Sequence, residues 1–506
     1  MQGTEDTGPP GSRAGGQGPA QGPQDPAPER ERAPERERAG EPEGRAHGRD
    51  RAGAQDPPPE RERAPERERA GAPEGRAHGR DRARRPHHRA HSQEDRSPRP
   101  GPPAARPHED HGPVRYGPPA PDPGLPVLPE LAAVLAAASA RTRPEPPGGG
   151  PVLREAARGY WDRRGLHGTA GGIAAPGAQP LLLALIGAHG GDVLMPRPCP
   201  AAWMPQARLL GHPAYHVPTP AECGGIPDPY ALLETVRRVR AEGGRPKLLL
   251  LSVVDDPTAT VALPELVREA CEAAVDEGLH IISDETWRDT VHRPRDTVLL
   301  SPAEMCPDDV TVLADLSGAL LPAAWPVAVA RFPDTARAAV RHARTLDILT
   351  ALGALVAGPV AHAAAHALGE PDSVRDRIQR AAALNTEVAA AAHRAVLGSG
   401  ALARPPEAGC HLYADLGPLR SRLADLGVTD SMELEEYLTD RLGAPAPGGH
   451  RFGDELGALR VRLGTGPLLG ATPQQRSESL AAAKPLELAH VARALDDFAA
   501  VFADLR

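Results

Sequence analysis

Three places in this 506-residue sequence carry side chains or backbone that could do chemistry. Asp284 follows the predicted strand Leu279 to Ser283, at its carboxyl end, where α/β sheets place their ligands. An acid in that position also serves often as a turn or helix cap. Gly177-Ala178-Gln179 precedes an apolar helix, so its backbone N–H groups would point at an anion from a helix N-terminus. An ordinary strand-to-helix loop is the other reading, and Pro180 suits a first helical turn under both. Arg462 lies in a predicted strand, and its planar fork suits a carboxylate. A plain surface arginine is the alternative, and Arg460, two residues earlier on the same face, becomes the candidate if the register shifts. What is scarce is amine chemistry: the chain has two lysines, Lys247 and Lys484.

Composition narrows the classes. The formal net charge of -9 gives no reason to expect a nucleic-acid partner for the folded part. Five cysteines (Cys199, Cys223, Cys271, Cys306 and Cys410) are widely spaced without a CxxC pair, which reads as reduced thiols rather than a disulfide frame or a metal site. His87, His88 and His91 lack the Cys or carboxylate frame that a metal needs. The first residues show no basic and apolar signal-peptide pattern, and the Ala-rich stretch from Leu349 to Leu368 is broken by Pro359, His362 and His366. A cytoplasmic protein without a membrane span is the expectation.

These residues need a frame. Residues 1–115 are low-complexity, with a near-exact duplication of period 31 in which Pro28 to Pro34 returns as Pro59 to Pro65. With no apolar face to bury, this segment is expected to be a disordered, mixed-charge tail. Its Arg/His-rich end, Arg82 to His91, reads as solvated, with an anionic partner as the sharper alternative. Beyond it, apolar strands alternate with amphipathic helices, the pattern of an α/β domain with a mainly parallel sheet. Strands are expected at Asp192 to Met195, Lys247 to Val254, Leu279 to Ser283, Thr311 to Ala314 and Val327 to Arg331. Helices are expected at Pro129 to Ala138, Val152 to Arg164, Pro229 to Glu242 and Leu263 to Glu277. A long helical region follows Asp334, and an α+β segment runs from His411 to Arg506.

Seven motifs in order carry a family resemblance. They are Pro151 to Tyr160, Gly177 to Pro180, Gly191 to Pro198, Asp255-Asp256-Pro257-Thr258-Ala259, Ile282 to Trp287, Pro447 to Gly453 and Arg460 to Leu463. Together they resemble the class I/II aminotransferases, fold type I enzymes that use pyridoxal phosphate. The resemblance implies a homodimer, a large domain at 151–345, and a small domain built from 116–150 and 346–506. It also implies roles. Gly177, Ala178 and Gln179 would hold the cofactor phosphate, Asp284 the pyridinium nitrogen, and Arg462 the α-carboxylate of an amino-acid-like ligand. Trp203 would stand in for the aromatic residue stacked on the ring, whose own position falls at Pro200.

The departures cluster. Gly318, in Asp315-Leu316-Ser317-Gly318, stands where the family has its Schiff-base lysine, both anchor and general base. Pro326 replaces a phosphate-clamping arginine, Asp256 an asparagine beside the cofactor's 3-oxygen, and Trp287 a tyrosine there. Lys247 starts a strand about 25 Å from its carboxyl end, and Lys484 has no family counterpart, so neither substitutes. The expectation is a catalytically degenerate member with a ligand-binding, regulatory or partner-subunit role. The alternative is an active enzyme on an amino acid with its cofactor held non-covalently. A third reading makes the tail the functional part.

Overall fold

Leu248, Leu249, Leu250 and Leu251 are all fully buried, as a strand covered on both faces demands. Each gains roughly 1.5–3 kcal/mol over exposure. The structure, a computed structural model, describes residues 124–168, 172–220 and 224–506. The expectations for the tail, its duplication and its histidines, and for Cys223, lie outside them.

Seven strands form the main sheet: β1 (Ile173–Ala175), β2 (Asp192–Arg197), β3 (Ala214–Pro218), β4 (Pro246–Ser252), β5 (His280–Asp284), β6 (Val310–Asp315) and β7 (Ala328–Arg331), in the order β1-β7-β6-β5-β4-β2-β3. From β3 through β6 every neighbouring pair is parallel, and only β7 runs against its neighbours. The mainly parallel sheet expected from the sequence is there. Side chains alternate between two cores: Leu249, Leu251, Ile281 and Val312 enter one, and Leu248, Leu250, Ile282 and Leu313 the other.

The first helices are α1 (Pro129–Ala137), α2 (Pro151–Asp162), α3 (Ala178–His189), α4 (Trp203–Leu209), α5 (Pro229–Ala241), α6 (Pro264–Asp276), α7 (Pro302–Met305), α8 (Ala336–Ala351) and α9 (Gly358–Leu368). Proline opens α1, α2, α5, α6 and α7, where its missing N–H costs nothing. The 27-residue α10 (Asp372–Gly398) then leads into a smaller sheet. There β8 (Leu402–Ala403), β9 (His411–Asp415) and β10 (Arg460–Gly464) pair antiparallel in the order β10-β9-β8. With α11 (Arg420–Asp425), α12 (Ser431–Leu442), α13 (Pro473–Ala481) and α14 (Ala489–Ala503) they enclose a third core around Leu412, Val461 and Phe502. Among the described residues no helix is long and apolar enough to cross a membrane.

One consequence bears on function. Because β4, β5 and β6 are parallel neighbours, their carboxyl ends lie along one edge. That edge carries Asp284 and Asp315, with Asp255 and Asp256 three and four residues beyond the end of β4.

Candidate functional site

The turn before α3 leaves a backbone N–H at the start of the helix. Gly177 caps the helix at φ 99°, a conformation that side-chain-bearing residues rarely adopt. The free N–H of Ala178 points outward from the helix end, and it already has a partner. Asp315, at the end of β6, accepts from Ala178 N at 2.6 Å through Oδ2, and from Ser317 N at 2.9 Å through Oδ1. A built-in carboxylate therefore takes the place of an external anion. Pro326 packs close to Gly177 at the same spot. Gln179 is exposed, and only its backbone oxygen is engaged, by the side chain of Gln206.

Asp284 sits one strand over. Its Oδ1 accepts from Thr286 N at 3.0 Å, so it caps its own turn. Burial pushes its carboxyl up to about 6, and the nearby charges of Asp315 and Asp256 add to that. Thr286 links the two strand ends, because its hydroxyl accepts from Asp315 N at 3.0 Å.

Gly318 is tighter still. A Cβ built on it would lie 2.2 Å from the backbone oxygen of Thr286, well inside van der Waals contact. The absent lysine is thus more than a shortened side chain: at this position the backbone leaves no room for any side chain.

Arg462 reaches the cavity, and it is neutralised. Its Nε donates to Asp256 Oδ1 at 2.9 Å, and its Nη2 lies 3.2 Å from His411 Nδ1. His411 is buried, with Nε2 3.6 Å from the same Asp256 oxygen. Burial, with Arg462 beside it, holds the imidazole well below its ordinary range and so neutral. Trp287 stands edge-on to His411, with ring centroids 5.3 Å apart. Arg460 instead pairs with Asp415 at 3.1 Å and Asp454 at 3.0 Å, and it is not among the residues that line the cavity.

The residues flanking Trp287 in sequence are anchored by ion pairs and a hydrogen bond. Tyr160 donates to Asp289 at 2.8 Å, Arg164 pairs with Asp289 at 2.7 Å, and Arg288 pairs with the buried Glu285 at 2.6 Å. Trp203 is only 2 % exposed and packs in the second core, because α4 turns that face inward; it stands in the hydrophobic interior rather than against the cavity. Lys247 is exposed at the start of β4, and Lys484 pairs with Glu487 at 2.7 Å.

Asp256, Trp287, Ser317, Gly318 and Arg462 line one cavity of about 360 Å³. Its remaining wall includes two residues that the sequence reading did not single out, Arg377 and Asn385 on α10. Asp315 was also missed as an anion, although a carboxylate closing an apolar strand was the signal used for Asp284.

Pyridoxal phosphate, which the resemblance implies, does not fit at its phosphate end. The N-terminus of α3 holds the Asp315 carboxylate, Pro326 supplies no cation, and like charges a few ångströms apart repel.

Comparison with known proteins gives a consistent picture. The family model described as aminotransferase class I and II matches residues 131–465. A probable aspartate/prephenate aminotransferase of Thermus aquaticus is 29% identical over 203 residues, 39% of this chain and 51% of that protein. The aspartate/prephenate aminotransferase of Thermus thermophilus is 28% identical over 207 residues, 40% of this chain and 51% of that protein. The match thus spans about half the length of these curated relatives. Among solved structures, an aspartate aminotransferase from Thermus thermophilus with maleate superposes with TM-score 0.61 at 20% identity, covering 76% of this chain and 90% of that one. An aromatic aminotransferase from Pyrococcus horikoshii gives 0.61 at 16% identity, covering 76% and 94%. At these identities the structures speak to the fold.

Proposed function

Because the chain belongs to the class I and II aminotransferase family, we propose that it is a non-transaminating member that keeps the fold and binds a small organic ligand without pyridoxal phosphate. The observation that carries this reading is the Asp315 carboxylate on the N-terminus of α3. Two others support it. Gly318 leaves no space for the anchoring side chain, and Asp256 already neutralises Arg462. Losing the general base alone is typically worth about 10²- to 10⁴-fold in rate. An amino-acid-like ligand, a homodimer and a cytoplasmic location, all implied by resemblance or composition, belong to the same proposal. Sedimentation velocity reads the dimer.

Titrating the purified protein with pyridoxal phosphate, with and without amino acids, tests the reading by absorbance in the near ultraviolet and violet. The expected result is no saturable change. A saturable spectrum that shifts with amino acid, with keto acid formed over many turnovers, would establish the alternative, an active enzyme with non-covalent cofactor. A second prediction isolates the cause. Asp315→Ser clears the carboxylate from the α3 N-terminus, so inorganic phosphate should bind the variant at least about tenfold more tightly than the parent in calorimetry, the equivalent of about 1.4 kcal/mol. Equal affinity in the two proteins would remove Asp315 from the argument.

A further inference from the structure

The cavity wall formed by α10 has a polarity that the family-type residues do not explain. Arg377, Ala381, Ala382 and Asn385 lie on one face of the helix at spacings of four, one and three residues. Arg377 and Asn385 are eight residues apart, so their Cα atoms are separated by about 12 Å along the axis. Between them the two alanines leave space, and Leu131 and Leu321 supply apolar surface opposite.

Both ends are polar and unmet. Arg377 is half-buried and makes no hydrogen bond or ion pair among the described residues; burial and the neighbouring Arg380 lower its basicity. Asn385 Oδ1 is buried with no donor. A half-buried guanidinium without an anion offers a ready partner for one, and a buried acceptor without a donor carries a cost that a ligand can relieve. Arg462, facing the same cavity, already has Asp256.

We infer that this cavity binds an elongated organic acid, its carboxylate on Arg377, its apolar body over Ala381 and Ala382, and a hydrogen-bond donor at its far end on Asn385. At about 360 Å³ the cavity is the size of a small-molecule site. The inference deepens the ligand-binding reading above and rests on it in one respect: the cavity must be free of cofactor.

The full chain, titrated calorimetrically with 3-(4-hydroxyphenyl)propionate and with 3-phenylpropionate, gives the test. These probes share a carboxylate and an apolar body, and only the first carries a terminal O–H. Both should bind, the hydroxylated acid more tightly. Arg377→Met should weaken both at least about tenfold, because a bond to a charged group is lost, and Arg377→Lys should recover part of that. Asn385→Leu should erase the preference for the hydroxylated acid while leaving 3-phenylpropionate in place. Circular dichroism checks that the variants fold. No binding of either acid, or binding that ignores Arg377→Met, overturns the inference. Neither result changes the cofactor titration, so the two readings fail separately.

Discussion

Gly318→Lys is expected to destabilise the protein and to leave it without a response to pyridoxal phosphate. Gly318→Ala should already do the first. Its added Cβ would meet the Thr286 backbone oxygen at 2.2 Å, and that oxygen belongs to the segment between the end of β5 and Trp287, so it cannot swing aside as a side-chain tip could. Overpacking of this kind typically costs about 1–3 kcal/mol, occasionally more. Chemical denaturation should show a lower midpoint at unchanged slope for Gly318→Ala. Gly457→Ala is the control: that glycine has nothing within 4 Å of its Cβ direction and no positive φ, so its midpoint should stay near the parent's. A Gly318→Lys protein that folds at parental stability and gains a violet band with the cofactor would show that one substitution separates this chain from its active relatives. The Asp315 carboxylate predicts otherwise, since the phosphate end would still be repelled.

The strand ends were readable because their signals are local. Leu248 to Leu251 and Ile281-Ile282 are unbroken apolar runs, and each is followed within a few residues by acids that the sheet then aligns on one edge. Gly177 announces its turn through its residue type, and the structure gives it the positive φ that explains the choice. The occupant of that turn was not readable. Asp315 reaches Ala178 across 137 positions of sequence, and only the order of the sheet brings β6 to the start of α3. The steric need for glycine at 318 is likewise a backbone-to-backbone contact that no residue type signals. That the cavity wall takes in Arg462 and leaves out Arg460 could be seen only in the fold. Arg377 and Asn385 sit in a long helix rich in alanine and arginine, where one more arginine stands out only by what it fails to contact.

Asp255 and Asp284 should each add a pH effect that runs toward greater stability in mild acid, against the neutral imidazoles of His189, His280 and His411, which favour the fold at higher pH. Asp255 is fully buried, and burial pushes its carboxyl up to about 7, with Asp256 adding to the rise and bonds from Thr258 opposing it. Asp284 is pushed up to about 6. In the unfolded chain both titrate near 3.9. The folded state therefore holds these protons more tightly, so its advantage is complete below about pH 4 and is lost as pH rises through 6 and 7. At 1.36 kcal/mol per unit, ionisation costs the fold up to about 4 kcal/mol at Asp255 and about 3 kcal/mol at Asp284 at pH 8. The histidines contribute the opposite slope below about pH 6.5, so the carboxylate share is read as the difference between the parent and a variant that lacks the carboxylate. Asp255→Asn removes the charge at nearly constant shape, and asparagine is the residue of the motif that Asp255 to Ala259 resembles. It should raise the pH 8 midpoint over the parent's by more than it changes the pH 5 midpoint, and Asp284→Asn should do the same to a lesser degree. An Asp255→Asn variant whose midpoint differs from the parent's by the same amount at pH 5 and pH 8 would mean that this carboxylate is ionised without cost, and the acidic edge of the sheet would then be open to water or to a cation.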